Sequence, residues 1–142
     1  MKKSYRTLEF SFIQDYIKNY CFSEMAKKRI DQIQPFQDID DLKLYQDDIS
    51  SAMKIIYAYG RIPLAPYEDI KEILQKAQKG GVCYPQDLLK IVQILKNVQE
   101  VQAYLDQEIE QSHLLEILSL LYLPKDLYNE ILKCVDPSGN IY

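Results

Sequence analysis

Residues 38 to 60 read DIDDLKLYQDDISSAMKIIYAYG, and this stretch decides the fold class. Leu42, Tyr45, Ile49, Ala52, Met53, Ile56 and Tyr59 recur at steps of three and four, the spacing that lines one face of an α-helix. Asp38 stands where an N-cap acceptor is needed. Asp41, three positions on, gives a capping-box-like pattern in which Asp replaces both the usual Ser/Thr and the usual Glu/Gln. Gly60 is placed to end the helix, because it accepts the backbone conformation that follows a helical C-terminus. The stretch therefore predicts a helix of more than five turns. Its acid pairs, Asp40-Asp41 and Asp47-Asp48, do not suggest a cation site: adjacent helical residues point about 100° apart, so neither pair converges on one ion. They read as the wet side of the helix.

The same periodicity continues on both sides. Upstream, Phe12, Ile13, Tyr16, Ile17 and Tyr20 predict a helix starting near Thr7. Ser23 caps another that carries Met25, Ala26, Ile30 and Ile33 until Pro35 stops it. Downstream, the loop RIPLAPYED (61–69) is stiffened by two prolines. Ile70, Ile73, Leu74 and Ala77 mark a short helix, which Gly80-Gly81 breaks. Pro85 suits the first position of the next helix, with Asp87 favourable in its first turn. Leu88, Ile91, Val92, Leu95, Val98 and Leu105 make that a second long helix, reaching Gln107. Two shorter helices follow, about His113 to Tyr122 and Lys125 to Cys134, parted by Pro124. No strand-like alternation occurs. The chain reads as all-α, a single helical domain over 1–142: an antiparallel bundle of about seven helices, two of them long.

Composition narrows the function classes. The 142 residues are 47% hydrophobic and 27% charged, with net charge −4. A chain of this size suits one globular domain. An acidic balance argues against an autonomous nucleic-acid clamp, and the basic clusters Lys2-Lys3-Arg6 and Lys27-Lys28-Arg29 are short. No apolar run approaches the length of a membrane helix, and no apolar segment follows the N-terminal lysines as in a signal peptide, so a cytoplasmic protein is expected. Cys21, Cys83 and Cys134 are odd in number and far apart, which predicts mostly buried, reduced thiols rather than a disulfide framework or zinc site.

Catalytic machinery is not visible. Four glycines, at 60, 80, 81 and 139, form neither G-x-x-x-x-G-K nor G-x-G-x-x-G, so a nucleotide site has no anchor. His113 has no Cys, Asp or His at ligand spacing and reads as a surface or capping residue. The tyrosines fall mostly on apolar rows as core or rim aromatics, although Tyr57, Tyr59 and Tyr67 could form a contact surface. No catalytic, cofactor-binding or metal residue is assigned.

One segment, KAQKGGVCYPQDLLKI (76–91), resembles a segment near the N-terminus of the second MutS branch, MutS-two. That family pattern runs from a helix end through A-x-x-G-G-x-L to a Ser-Pro-like helix start and E-L-L-x-I. Ala77, Gly80, Gly81, Pro85, Leu88, Leu89 and Ile91 match it, while Cys83 and Tyr84 depart from the usual Leu and Ser/Thr. TLEF (7–10) followed by Ile13 resembles the family's opening, and Ile33-x-Pro35 before the long helix resembles its L-x-P. DPSGNI (136–141) is similar to a family turn that leads into further chain. Together the similarities span nearly the whole sequence.

The resemblance implies an N-terminal fragment of the helical core, or lever, of a longer protein. The rest of the core, a coiled-coil clamp, a MutS-type ATPase and an Smr endonuclease domain would lie elsewhere. It implies ATP and Mg for the full-length protein and none for this piece. Implied partners are the remainder of its own chain and, through other domains, DNA or the ribosome. The implied roles are suppression of recombination and ribosome rescue, by a homodimer without membrane contact. An apolar patch left exposed for missing core is expected on this reading. The rival is a self-contained helical interaction module with a fully covered core. A stand-alone enzyme would need His113 or the acid pairs to converge in a pocket.

Overall fold

The computed structural model describes residues 9–136, which form seven helices and, among these residues, no sheet. The protein is all-α. Contacts divide it into two compact units: the residues up to Pro35 with Pro66–Asp69, and Phe36–Ala65 with the residues from Ile70 onward.

The first unit holds α1 (Phe10–Lys18) packed on α2 (Glu24–Asp31). Ser23 caps α2 as the sequence predicts: its hydroxyl accepts from the Ala26 N–H at 3.1 Å. Its backbone also makes an isolated parallel bridge to Tyr67. The Gln14 amide crosses from α1 to donate to the Ile30 carbonyl at 2.8 Å, which satisfies a carbonyl of the last turn of α2. Lys18 reaches Asp31 at 2.6 Å and Asp15 at 2.8 Å, and these hydrogen bonds hold its ammonium above the usual lysine range. The unit contains little core; Ser23 is its buried residue. The predicted helix start near Thr7 and the cluster Lys2-Lys3-Arg6 lie outside the described residues.

The second unit is built on two helices of 21 residues each, α3 (Ile39–Tyr59) and α5 (Pro85–Leu105). Between them lies α4 (Lys71–Gln78), and after them α6 (His113–Ser119) and α7 (Lys125–Cys134). At the start of α3 the Asp38 carboxylate accepts from the N–H groups of Asp40 and Asp41, at 2.7 and 3.2 Å. Gly60 ends it at φ +82° and ψ −172°, a conformation closed to ordinary L-residues. α5 begins at Pro85, as expected. Tyr84 supplies no side-chain cap; instead Asp87 takes the Tyr84 N–H at 3.0 Å.

The two glycines of the resemblance segment have separate reasons. Gly80 adopts φ +75°, which closes α4. Gly81 sits so near Lys76 that a Cβ would lie 2.7 Å from its Cγ and 3.0 Å from its carbonyl oxygen. Lys76 in turn lies over the Tyr84 ring, 4.3 Å from its centre, and 3.8 Å from Asp87, tying the end of α4 to the start of α5.

α5 packs on α7 and α3 on α6. Leu95, Val101, Leu123, Ile131 and Val135 are the buried apolar residues around α5 and α7, and Ile55 is the buried residue of α3. Three side chains tie the exit of α3 to α5 and the segment after it: Tyr104 donates to the Gly60 carbonyl at 2.8 Å, Asn97 to the Pro63 carbonyl at 2.6 Å, and Tyr59 to the Glu108 carbonyl.

Several expectations are corrected. α5 ends at Leu105, the last residue of its apolar row, rather than Gln107, and α6 ends at Ser119 rather than Tyr122, short of the apolar run that suggested it. The tyrosines are mostly not core: Tyr16, Tyr20, Tyr45, Tyr57, Tyr84 and Tyr122 are exposed. Cys134 is exposed at the end of α7, while Cys21 and Cys83 are half-buried; all three are free thiols. The predicted turn at Pro137-Ser138-Gly139 lies outside the described residues.

Candidate functional site

His113 is the histidine of the chain. It starts α6, where Ser112 caps the helix by accepting from the Leu115 N–H at 3.2 Å. Its Nδ1 meets both carboxylate oxygens of Asp48, at 3.0 and 2.9 Å. Asp48 is thus not on the wet side of α3, as the sequence suggested, but faces α6. With 65 residues between the partners, no local spacing could have revealed the pair. It fastens α6 to α3 and supplies a histidine with an orienting carboxylate. Nucleophilic catalysis needs a third member, and the Ser112 hydroxyl is already committed to capping.

Beside this pair a cleft of about 250 Å³ runs between α3 and the segment before α6. Ser51, Lys54, Ile55 and Tyr59 line one side and Glu108–Ser112 the other. One lysine faces two glutamates here, with no convergent polar cluster of the kind that fixes a small ligand. Among the described residues no group of three His, Cys, Asp or Glu could hold a metal ion. Asp40 and Asp41 contribute their backbone N–H groups to Asp38, not their carboxylates to a cation site.

The more extensive feature is uncovered apolar surface. On α3, Tyr45, Ile49, Met53 and Ile56 are 49, 51, 67 and 46% exposed, although they form the very row that predicted the helix. Phe36 leans on Tyr45 with ring centres 5.3 Å apart and extends the surface at one end. On α1 Phe12, Ile13 and Tyr16 are exposed, as is Tyr20 just after it, and beyond α6 so are Leu120 and Tyr122. Of the tyrosines proposed as a contact surface, Tyr57 is almost fully exposed and Tyr59 is tied to Glu108. Tyr67 belongs to the other compact unit. Among the described residues no helix is long and apolar enough to cross a membrane.

These features define an all-α segment with two long helices and large uncovered apolar faces among the described residues. No family model matches the chain. Among curated proteins it is 32% identical over 133 residues to Endonuclease MutS2 of Clostridium botulinum (strain Alaska E43 / Type E3), covering 92% of this chain and 17% of that protein. The same-named protein of Halothermothrix orenii is 30% identical over 149 residues, covering 99% of this chain and 19% of its own length. That of Clostridium beijerinckii is 30% identical over 137 residues, covering 94% and 17%. The chain belongs to the MutS2 family, and it spans less than a fifth of the length of these relatives.

Proposed function

We propose that this chain is a non-catalytic packing segment of a MutS2-type protein, equivalent to the beginning of its helical core or lever. The matched region of the relatives is their N-terminal part, which supports that placement. The observation that carries the reading is the uncovered apolar surface. A segment whose task is to be packed against and tilted needs ordered helices with open apolar faces, and it needs no reactive groups. α3 and α5 are each about 30 Å long at 1.5 Å per residue, enough to carry a tilt across a domain.

The remaining functions belong, on this proposal, to other parts of such a protein: ATP hydrolysis, endonuclease cleavage, binding of branched DNA, suppression of recombination and ribosome rescue. The described residues do not fit ATP or magnesium. Gly80 and Gly81 close a helix against Lys76 rather than cradle a phosphate, and no carboxylates converge.

The test is complementation in trans. The Clostridium botulinum relative, deleted for the matched residues, is purified with and without this chain, and complex formation and ATP hydrolysis are followed. A stoichiometric complex with restored hydrolysis is expected. A folded chain that neither binds nor restores activity would remove the reading.

A further inference from the structure

A second hollow shares Gln111 with the cleft beside His113 but lies between other elements: the end of α5, α6 and the start of α7. It holds about 600 Å³. Leu105 of α5, Leu115 and Leu118 of α6 and Leu121 of the connection to α7 supply its apolar lining, and Asp106, Glu116 and Lys125 are the charged groups around them. The groove is preformed. The Gln102 amide donates to the Leu121 carbonyl at 2.9 Å, and the Ser119 hydroxyl donates to the Glu116 carbonyl at 2.6 Å, closing the last turn of α6. Leu123, in the same connection, is buried. Yet Leu105, Leu115 and Leu118 are only half-buried and Leu121 is exposed, so the unit leaves this lining uncovered.

The charge here is one-sided. Between Lys96 and Lys125 the chain carries Glu100, Asp106, Glu108, Glu110 and Glu116, and neither a lysine nor an arginine. These carboxylate residues are all exposed, and among the described residues neither Asp106 nor Glu116 has an ion-pair partner. Leucines set among unanswered carboxylates are complementary to an apolar stripe flanked by lysine or arginine. We infer that this groove is a docking site for a cationic amphipathic helix of a separate protein. Aliphatic side chains one turn apart on that helix enter between Leu105, Leu115, Leu118 and Leu121, while its cations meet Asp106 and Glu116.

The charge also decides the source of the helix. Faces that join parts of one assembly permanently are apolar and poor in charge at their centre, as are Tyr45, Ile49, Met53 and Ile56 on α3. A rim of free carboxylates speeds encounter with an oppositely charged partner and adds little to holding it, which suits a partner that comes and goes. Nucleic acid and anionic lipid surfaces are repelled by the same rim. A polyamine would meet the carboxylates without needing the leucines. The inference goes beyond the packing role proposed above and does not depend on it.

The probe is a fluorescein-labelled peptide, LKKLLKLLKKLLKL, titrated with the whole chain and followed by fluorescence anisotropy. Saturable binding that weakens with added salt is expected, and none by the acidic counterpart LEELLELLEELLEL. Asp106→Lys combined with Glu116→Lys should weaken binding about tenfold, and Leu118→Gln by about the same factor, with helical content unchanged. The charge reversals lie on exposed side chains, so the test stands even if Leu118→Gln loses structure. Asp40→Lys combined with Asp47→Lys alters net charge equally on α3 and should leave the affinity unchanged. Absence of binding, equal weakening by both double variants, or displacement by micromolar spermine overturns the inference. If the Clostridium botulinum relative, deleted for its matched residues, displaces the peptide, the groove packs on the rest of a MutS2-type chain and the separate partner is rejected.

Discussion

α3 and α5 are both 21 residues long, and each has a carboxylate serving its first turn. Their surroundings are opposite. Along α5, Leu88, Leu89, Ile91, Val92, Ile94 and Val98 are half-buried, while Leu95 and Val101 are buried. Along α3, Ile55 is buried, yet Tyr45, Ile49, Met53 and Ile56 are open. The apolar residues of α5 cover a wide arc, as suits a helix packed on α7 within its own unit. Those of α3 form a narrow seam turned away from Ile55. Equal helical signals thus have two outcomes: α5 carries buried core residues of its unit, and α3 leaves an apolar face uncovered.

The largest expected effect tests that division directly. Leu95→Ala should cost about 2–4 kcal/mol, because it removes packed methyl groups and leaves a cavity. Met53→Ala, at a position 67% exposed, should change stability by less than about 0.5 kcal/mol. Urea unfolding at concentrations where the chain is monomeric would measure both. Equal losses would break the comparison, since α3 would then have a covered face like that of α5.

A second, smaller effect concerns where the helices are delimited. Gly60→Ala forces an L-residue into φ +82° and ψ −172°, and should cost about 1–3 kcal/mol. The strain falls at the exit of α3, where Tyr104 holds the Gly60 carbonyl. Burial beside the exit also raises the pKa of the Tyr104 hydroxyl, with Tyr59 adding to the shift. Gly81→Ala, before α5, should cost about 1 kcal/mol if Lys76 can yield, a typical value for a single substitution. Thermal melts of the two variants would rank the ends. A neutral Gly60→Ala would mean that the corner after α3 relaxes freely, and α3 would not be held against α5 there.

What was legible in the sequence follows from the range of each interaction. Ser23, Asp38, Gly60 and Pro85 act within a few residues of themselves, and each delimits a helix as its chemistry predicts. The all-α class rests on such local signals. Burial is different. The row from Leu42 to Tyr59 shows that α3 has an apolar face, but not whether this chain covers it. Asp48 looked solvated because its partner, His113, comes 65 residues later. The family was legible because Gly80, Gly81 and Pro85 meet backbone requirements that fix residue identity. The candidate site was legible only as a row of residue types, since its openness depends on what the other helices leave uncovered.

The smallest effect separates the helices at their starts. The Asp38 carboxylate alone accepts two N–H groups at the head of α3, whereas α5 combines Pro85 with the Asp87 contact and the nearby Lys76. Asp38→Ala should therefore cost about 1 kcal/mol, the usual value of a lost N-cap. Asp38→Asn keeps an acceptor oxygen and loses only the charge at the positive end of the helix, so it should cost about 0.3–1 kcal/mol, less in added salt. Amide exchange would locate the loss, with faster exchange expected in the first turn of α3 and no change in α5. If protection falls equally in both helices, the two do not open independently. The contrast between a core-forming α5 and an outward-facing α3 would then describe their surfaces, not their stabilities.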